Sequence, residues 1–223
     1  VARLPAGYFR FVKTRGGWQQ MKVLMVDMDG VLVNGRPVDR LPYFTDIERD
    51  LGLSLERLQR EFFAAHWSQI IIGEKPIEPT LTAVLEKIAP ELETETLLRY
   101  WFENDSRLDQ DLLADLAALR KSGLSIYLAT NQEHRRAAWL MNEHGLADHF
   151  DGIFYSAKFG CKKPSPDFFR MATEGAGVTP ADIAFIDDSS ENIEAARRFG
   201  WQAAQWKPGM ALEDALQIAR RAS

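Results

Sequence analysis

Five short apolar runs, at residues 22–28, 124–129, 152–155, 183–186 and 202–205, are rich in β-branched or aromatic side chains. Runs of that length suit buried strands. Helical spacing fills most of the gaps. Residues 109–121 set Leu112, Leu116 and Leu119 on one face and stop before Gly123, and residues 133–144 space Ala137, Leu140 and Met141 and stop at Gly145. Pro166 stands where a helix can start, with Phe169 and Ala172 behind it, and Ser189 or Ser190 can cap a helix that carries Ile193, Ala196 and Phe199 up to Gly200. Strand alternating with helix predicts a parallel sheet covered on both faces.

One region breaks the alternation. Residues 41–104 carry only helical patterns, such as 54–69 with Leu55, Leu58, Phe62 and Ala65 in phase, and 94–102 with Leu97, Leu98 and Trp101. They are flanked by "NGRP" at 34–37 and "NDSR" at 104–107, which suit paired hinges. The expected division is a core of residues 21–36 and 105–223, a helical cap of residues 37–104 and an N-terminal extension of residues 1–20. That extension carries Arg3, Arg10, Lys13 and Arg15 with no acid, and lacks the continuous apolar stretch of a secretory signal.

Composition narrows the function. The 223 residues carry a net charge of -5 and no Lys/Arg cluster, so nucleic acid is not an expected partner. No run approaches the ~20 apolar residues of a membrane span, so no membrane partner is expected. The single cysteine, Cys161, leaves no internal disulfide, the four histidines lack zinc-binding spacing, and a reducing, cytoplasmic setting fits. Oligomeric state leaves no mark on the sequence.

The first apolar run continues as "VLMVDMDGVLV", with Asp27 and Asp29 set into it. An Asp-Gly step after an apolar run is an ordinary turn signal. Yet ligands of an open parallel sheet bind at the carboxyl ends of its strands. The second run ends in Thr130-Asn131, and "AFIDDSSEN" ends the fourth in Asp187-Asp188. A side-chain period of two puts Asp27 and Asp29 on one side while the chain stays extended. So many like charges call for a divalent cation, and an all-oxygen ligand set favours Mg²⁺. Lys163, in "FGCKKPSPDFF", precedes a helix entrance and can supply a fixed positive charge.

The set "DMDGVLV", "LATN", "KKPSPDFF" and "FIDDSSEN", in that order, resembles the four signature motifs of the haloacid dehalogenase-like hydrolase superfamily, over Met21 to about Pro208. The resemblance implies an α/β fold, a Rossmann-like parallel sheet core with an inserted α-helical cap domain. It implies that Asp27 is the nucleophile forming an aspartyl-phosphate, and that Asp29 is the general acid and then the base. Asp27, the backbone carbonyl of Asp29, and Asp188 would ligate Mg²⁺, with Asp187 acting directly or through water; sequence does not separate the last two. Thr130 and the Asn131 amide would hold the phosphate, Lys163 would offset negative charge, and Asn192 would be supporting structure.

Asp29 separates chemistries within the superfamily. A halide leaves without a proton and an alkoxide does not, so an acid at this position implies a phosphate ester and not a carbon–halogen bond. The implied enzyme is a Mg²⁺-dependent phosphatase of a small phosphorylated metabolite, such as a sugar phosphate or nucleotide. A phosphomutase shares the same four motifs, and a catalytically silent binding or regulatory protein can keep the fold. Phosphonate hydrolysis would need a cap lysine, for which Lys75 and Lys87 are the candidates. Other residues have plainer readings beside a functional one: Trp67 and His66 as packing rather than pocket lining, Arg36 and Arg40 as solvated rather than facing a second anionic group of the substrate, Cys161 as a filler without a base, and His134 as close to the site in sequence, with substrate contact as the alternative.

Overall fold

The computed structural model describes residues 21–221 and, ahead of them, the backbone of a small antiparallel ribbon, β1 (Lys13–Thr14) with β2 (Gly17–Trp18). The expected extension, residues 1–20, otherwise lies outside the described residues.

Strands β3 (Val23–Val26), β4 (Ser125–Thr130), β5 (Gly152–Tyr155), β6 (Ile183–Asp187) and β7 (Gln202–Gln205) form one parallel sheet in the order β5-β4-β3-β6-β7. The four residues of β3 are buried on both faces. Leu24 and Val26 join an apolar layer with Leu112 and Leu116 of α6 (Gln110–Lys121) and Leu216 of α11 (Leu212–Arg221). Val23 and Met25 join the opposite layer with Phe168 and Phe169 of α9 (Pro166–Ala176) and Ile193 and Ala196 of α10 (Ser190–Phe199). The strand's period of two thus feeds two cores at once. Side-chain caps begin α6, α9 and α10: Asp109 accepts from the Leu112 amide, Ser165 from Asp167 and Ser189 from Asn192. Because β4 and β6 flank β3 on opposite sides, the carboxyl ends of β3, β4 and β6 enclose the crevice of an open α/β sheet.

Between β3 and α6 lie the helices α1 (Ile47–Leu51), α2 (Leu55–Leu58), α3 (Ala65–Ile70), α4 (Ile77–Ile88) and α5 (Thr94–Asn104). They surround an apolar cluster of their own that includes Phe44, Leu58, Phe62, Leu81, Leu97 and Trp101. The expected uninterrupted helix over 54–69 contains a π-helical segment, Gln59–Ala64. The wider turn lets two consecutive aromatics reach one cluster: Phe62 is buried in it, while Phe63 meets Trp67 and Trp101 edge-on, with ring centroids 5.4 Å apart in each case.

This helical cap rests on the sheet domain at α7 (His134–Asn142) and α8 (Ser156–Phe159). The Ser156 hydroxyl donates to the Ile71 carbonyl at 2.5 Å, and Arg135 is ion-paired with Glu78 of α4 and Glu95 of α5. Gly73, at φ +75°, lies so close that a Cβ there would meet the Ala157 carbonyl oxygen at 2.4 Å.

Candidate active site

Asp27 directly follows β3, and its amide donates to the Ile186 carbonyl of β6 at 2.9 Å. The chain does not stay extended from there to Asp29. The amides of Leu32 and Val33 both donate to the Met28 carbonyl at 2.8 Å, and the Met28 side chain is buried in the apolar layer. This turn gives the two aspartates different surroundings. Asp27 is 7% exposed and faces Lys163, whereas the Asp29 side chain is 46% exposed and faces the cleft. Gly30 makes the turn compact: at φ +78° its ideal Cβ would lie 2.3 Å from Asp188 Oδ2, so only glycine admits the Asp188 carboxylate.

Lys163 is buried and its Nζ lies 2.9 Å from Asp27 Oδ1 and 2.6 Å from Asp187 Oδ2. The Asn131 side chain holds the Lys163 backbone from both sides, accepting from its amide at 2.9 Å and donating to its carbonyl at 3.1 Å. Asp187, at the end of β6, also accepts from the Asn192 side chain at 3.0 Å and the Ser189 amide at 2.8 Å. Both Asp187 oxygens are therefore engaged, while the Asp188 side chain is exposed. Thr130, at the end of β4, lines with Asp27, Asp29, Gly30, Asn131, Lys163 and Asp188 a small cavity of about 280 Å³.

Charge in this cavity is unbalanced. Carboxylate oxygens of Asp27, Asp187 and Asp188 lie within 4.8 Å of one another, against the single ammonium of Lys163. Burial pushes the Asp27 carboxyl up to about 8; Lys163 opposes that, and Asp187 and Asp29 add to it. Asp188 is also raised, by burial and by Asp187. Burial acts to lower the Lys163 ammonium, but Asp27 and Asp187 outweigh it and leave it raised. Three close carboxylates, of which Asp27 and Asp188 are held above their ordinary range, are a hard-oxygen donor set short of positive charge, and a divalent cation fits it.

A second group of residues has no counterpart in the sequence analysis. Arg136 of α7 donates from Nη2 to Asp29 Oδ1 at 2.8 Å and from Nη1 to Asp29 Oδ2 at 3.0 Å, and Gln132 Nε2 also donates to Oδ2. Arg136 Nη2 reaches Asp105 as well, at 2.8 Å to its carboxylate and 3.0 Å to its carbonyl. Glu133 caps α7 by accepting from the amides of Arg135 and Arg136. One signal was present: Arg136 shares the helical phase of buried Ala137 and Leu140, so it lies on the stripe that faces the core.

Above Asp29 and Arg136 a cleft of about 1150 Å³ opens between sheet domain and cap, walled on the cap side by Tyr43, Trp67 and Trp101. Trp67 thus both packs against Phe63 and Trp101 and lines the cleft. Arg40 also lines it, but Arg36 is buried and ion-paired with Asp39 and, at 2.7 Å, Asp46, so it is not a solvated arginine. Among the described residues lining the cleft, neither Lys75 nor Lys87 is found. The His134 ring contacts the Tyr155 hydroxyl at 3.3 Å, and the half-buried Cys161 thiol is raised by burial. No described helix is long and apolar enough to cross a membrane.

The family model for haloacid dehalogenase-like hydrolases matches residues 21–200. The chain is 26% identical to phosphoglycolate phosphatase of Vibrio vulnificus over 188 residues, covering 82% of each chain. It is 29% identical to phosphoserine phosphatase of Thermus thermophilus over 231 residues, covering 87% of this chain and 92% of the relative. A HAD family enzyme of Bacteroides thetaiotaomicron, solved as a magnesium complex, shares the fold with a TM-score of 0.72 at 22% identity, over 87% of this chain and 97% of that one.

Proposed function

We propose that this chain, which belongs to the haloacid dehalogenase-like hydrolase family, is a Mg²⁺-dependent phosphatase that hydrolyses a small phosphate monoester through an aspartyl-phosphate on Asp27. The observation that carries the reading is the pair of unlike carboxylates on one cavity: Asp27 buried against Lys163, and Asp29 open to the cleft where a leaving group must lie.

Asp27 Oδ1 accepts from the Met28 amide at 2.7 Å and lies 2.9 Å from Lys163 Nζ, so Oδ2 is the oxygen free to attack. It displaces the ester oxygen from phosphorus, and Asp29 delivers a proton to that oxygen. Water then attacks the phosphorus of the aspartyl-phosphate, Asp29 takes the water's proton, and the bond to Asp27 breaks. The Thr130 hydroxyl and the Asn131 backbone amide orient the phosphoryl oxygens, and Lys163 offsets their charge. Mg²⁺, when bound, supplies the remaining positive charge at the phosphoryl oxygens. Asp27, Asp188 and the Asp29 carbonyl are the residues to hold it; Asp187, whose oxygens are already engaged, orients Lys163 and Asn192 around it.

The names of the relatives, phosphoglycolate and phosphoserine phosphatase, support a small phosphorylated metabolite as substrate. The lone cysteine supports a reducing, cytoplasmic setting. Phosphate release from p-nitrophenyl phosphate, followed by a screen of phosphorylated sugars, nucleotides and organic acids, tests the reading. Turnover with Mg²⁺ that stops in EDTA and in Asp27→Asn is the expected result. Metal-independent turnover, or turnover surviving in Asp27→Asn, would overturn it.

A further inference from the structure

We propose that Arg136 is the positioning residue for Asp29, fixing which oxygen of that carboxylate exchanges the proton with the leaving group. The inference rests on the phosphatase reading and adds to it a residue outside the four signature motifs.

The guanidinium meets Asp29 end-on, with Nη1 on Oδ2 at 3.0 Å and Nη2 on Oδ1 at 2.8 Å, the paired geometry that fixes a carboxylate's plane as well as its place. A carboxylate has about four lone-pair sites. Oδ2 accepts from both Arg136 and Gln132, while Oδ1 accepts from Arg136 alone. The one site left open is on Oδ1, and that is the oxygen through which a proton can pass to a substrate.

Arg136 is itself held rigidly. Its side chain is 4% exposed, it stands in the first turn of α7 behind the Glu133 cap, and its Nη2 also bridges to the carboxylate and carbonyl of Asp105. Asp105 is the residue that ends α5, where the chain leaves the cap for the sheet domain. One guanidinium therefore ties the proton-exchanging carboxylate to the base of the cap. Its Nε, also buried, has no hydrogen-bond partner among the described residues. A guanidinium buried with one donor unmatched is poorly explained by stability, because that donor is desolvated without return. It is well explained by a need to present Nη1 and Nη2 to Asp29.

Leaving-group chemistry gives the test. Benzyl phosphate releases an alkoxide that needs the proton, and 2,4-dinitrophenyl phosphate releases a phenoxide that does not. Comparing kcat/KM confines the reading to the first step, before water attacks, so the later role of Asp29 as base does not enter. Arg136→Lys keeps a charge but not the fork. The ratio of benzyl to dinitrophenyl kcat/KM is expected to fall roughly 10- to 100-fold, as for a displaced proton donor. Asp29→Asn is expected to show the same selective loss, more deeply. The double variant Arg136→Met/Asp105→Asn removes the buried pair together, strands no charge between them, and should reproduce the Arg136→Lys ratio. A merely structural arginine would lower both substrates alike. A ratio within threefold of the parent in either Arg136 variant, with the parent active, overturns the positioning role and leaves the phosphatase reading standing. A parent inactive on both esters overturns the two together.

Discussion

Replacing Asp27 with asparagine should stabilise the metal-free protein while abolishing turnover. Asp27 is 7% exposed beside Asp187 and Asp188, and burial pushes its carboxyl from the ordinary aspartate range up to about 8. The unfolded carboxyl ionises near 4, so below that pH both states are protonated and no difference arises. As pH rises from about 4 to 8 the unfolded chain gives up the proton while the folded chain keeps it, and stability falls through that window. At about 1.4 kcal/mol per unit, the full shift sets a ceiling of about 6 kcal/mol at pH 8. Relaxation around buried charge reduces this, and roughly 2 kcal/mol is the expected gain for the variant. Asparagine keeps the oxygen that accepts from Met28 and faces Lys163, so no bond made by Oδ1 is lost. For a chain of this size the gain is about 4 to 8 °C in Tm at pH 8, shrinking towards zero at pH 4 to 5. Thermal melts in EDTA from pH 5 to 8.5 read it directly, and added Mg²⁺ should raise the parent more than the variant. A variant that melts at or below the parent at every pH would refute the view that Asp27 is held at an electrostatic cost.

Lys163→Met leaves Asp27 and Asp187 facing each other without the buried ammonium, so denaturant titration at pH 8 should show a loss of about 3 to 5 kcal/mol; a loss under about 1 kcal/mol would mean the pair is not ionised there. Gly30→Ala drives a Cβ into Asp188 Oδ2, and calorimetric titration with Mg²⁺ should show affinity weakened at least ~10-fold, whereas unchanged affinity would remove Asp188 from the metal's ligands. Gly73→Ala forces the Ile71–Gly73 segment off the Ala157 carbonyl, lifting the cap, so KM for p-nitrophenyl phosphate should rise several-fold, about 3- to 10-fold, with Tm nearly constant; an unchanged KM would mean the cap contact does not shape the cleft.

The sheet is legible in the sequence because strands buried on both faces must be apolar and short, and residues 152–155 and 202–205 coincide with β5 and β7. The first strand is shorter than its apolar run: β3 stops at Val26, since Met28 is buried in a turn and apolarity alone does not distinguish the two. Asp27, Lys163 and Asp187 stand out because few roles other than chemistry tolerate charges next to buried strands. Arg136 does not stand out, because its partners Asp29 and Asp105 lie 107 and 31 positions away and an arginine in a helix reads first as a solvent-facing residue. The π segment is equally hidden, since it follows from how Phe62 and Phe63 pack against Trp67 and Trp101 and not from local propensity. Helix α11 is absent from the expected elements although Leu212, Ala215, Leu216 and Ala219 keep a helical period, because two of its four inward residues are alanines and the stripe is faint.

Covalent capture of the phosphoryl group tests the central claim most directly. The protein is mixed with Mg²⁺ and 2,4-dinitrophenyl phosphate, quenched in acid within milliseconds, and reduced with borohydride, which converts an aspartyl-phosphate to homoserine. Peptide mass spectrometry should then place homoserine at position 27 and nowhere else, with none formed when EDTA replaces Mg²⁺. Homoserine at position 29, or product formed at full rate with no modified aspartate at any quench time, would contradict the assignment of Asp27 as the nucleophile.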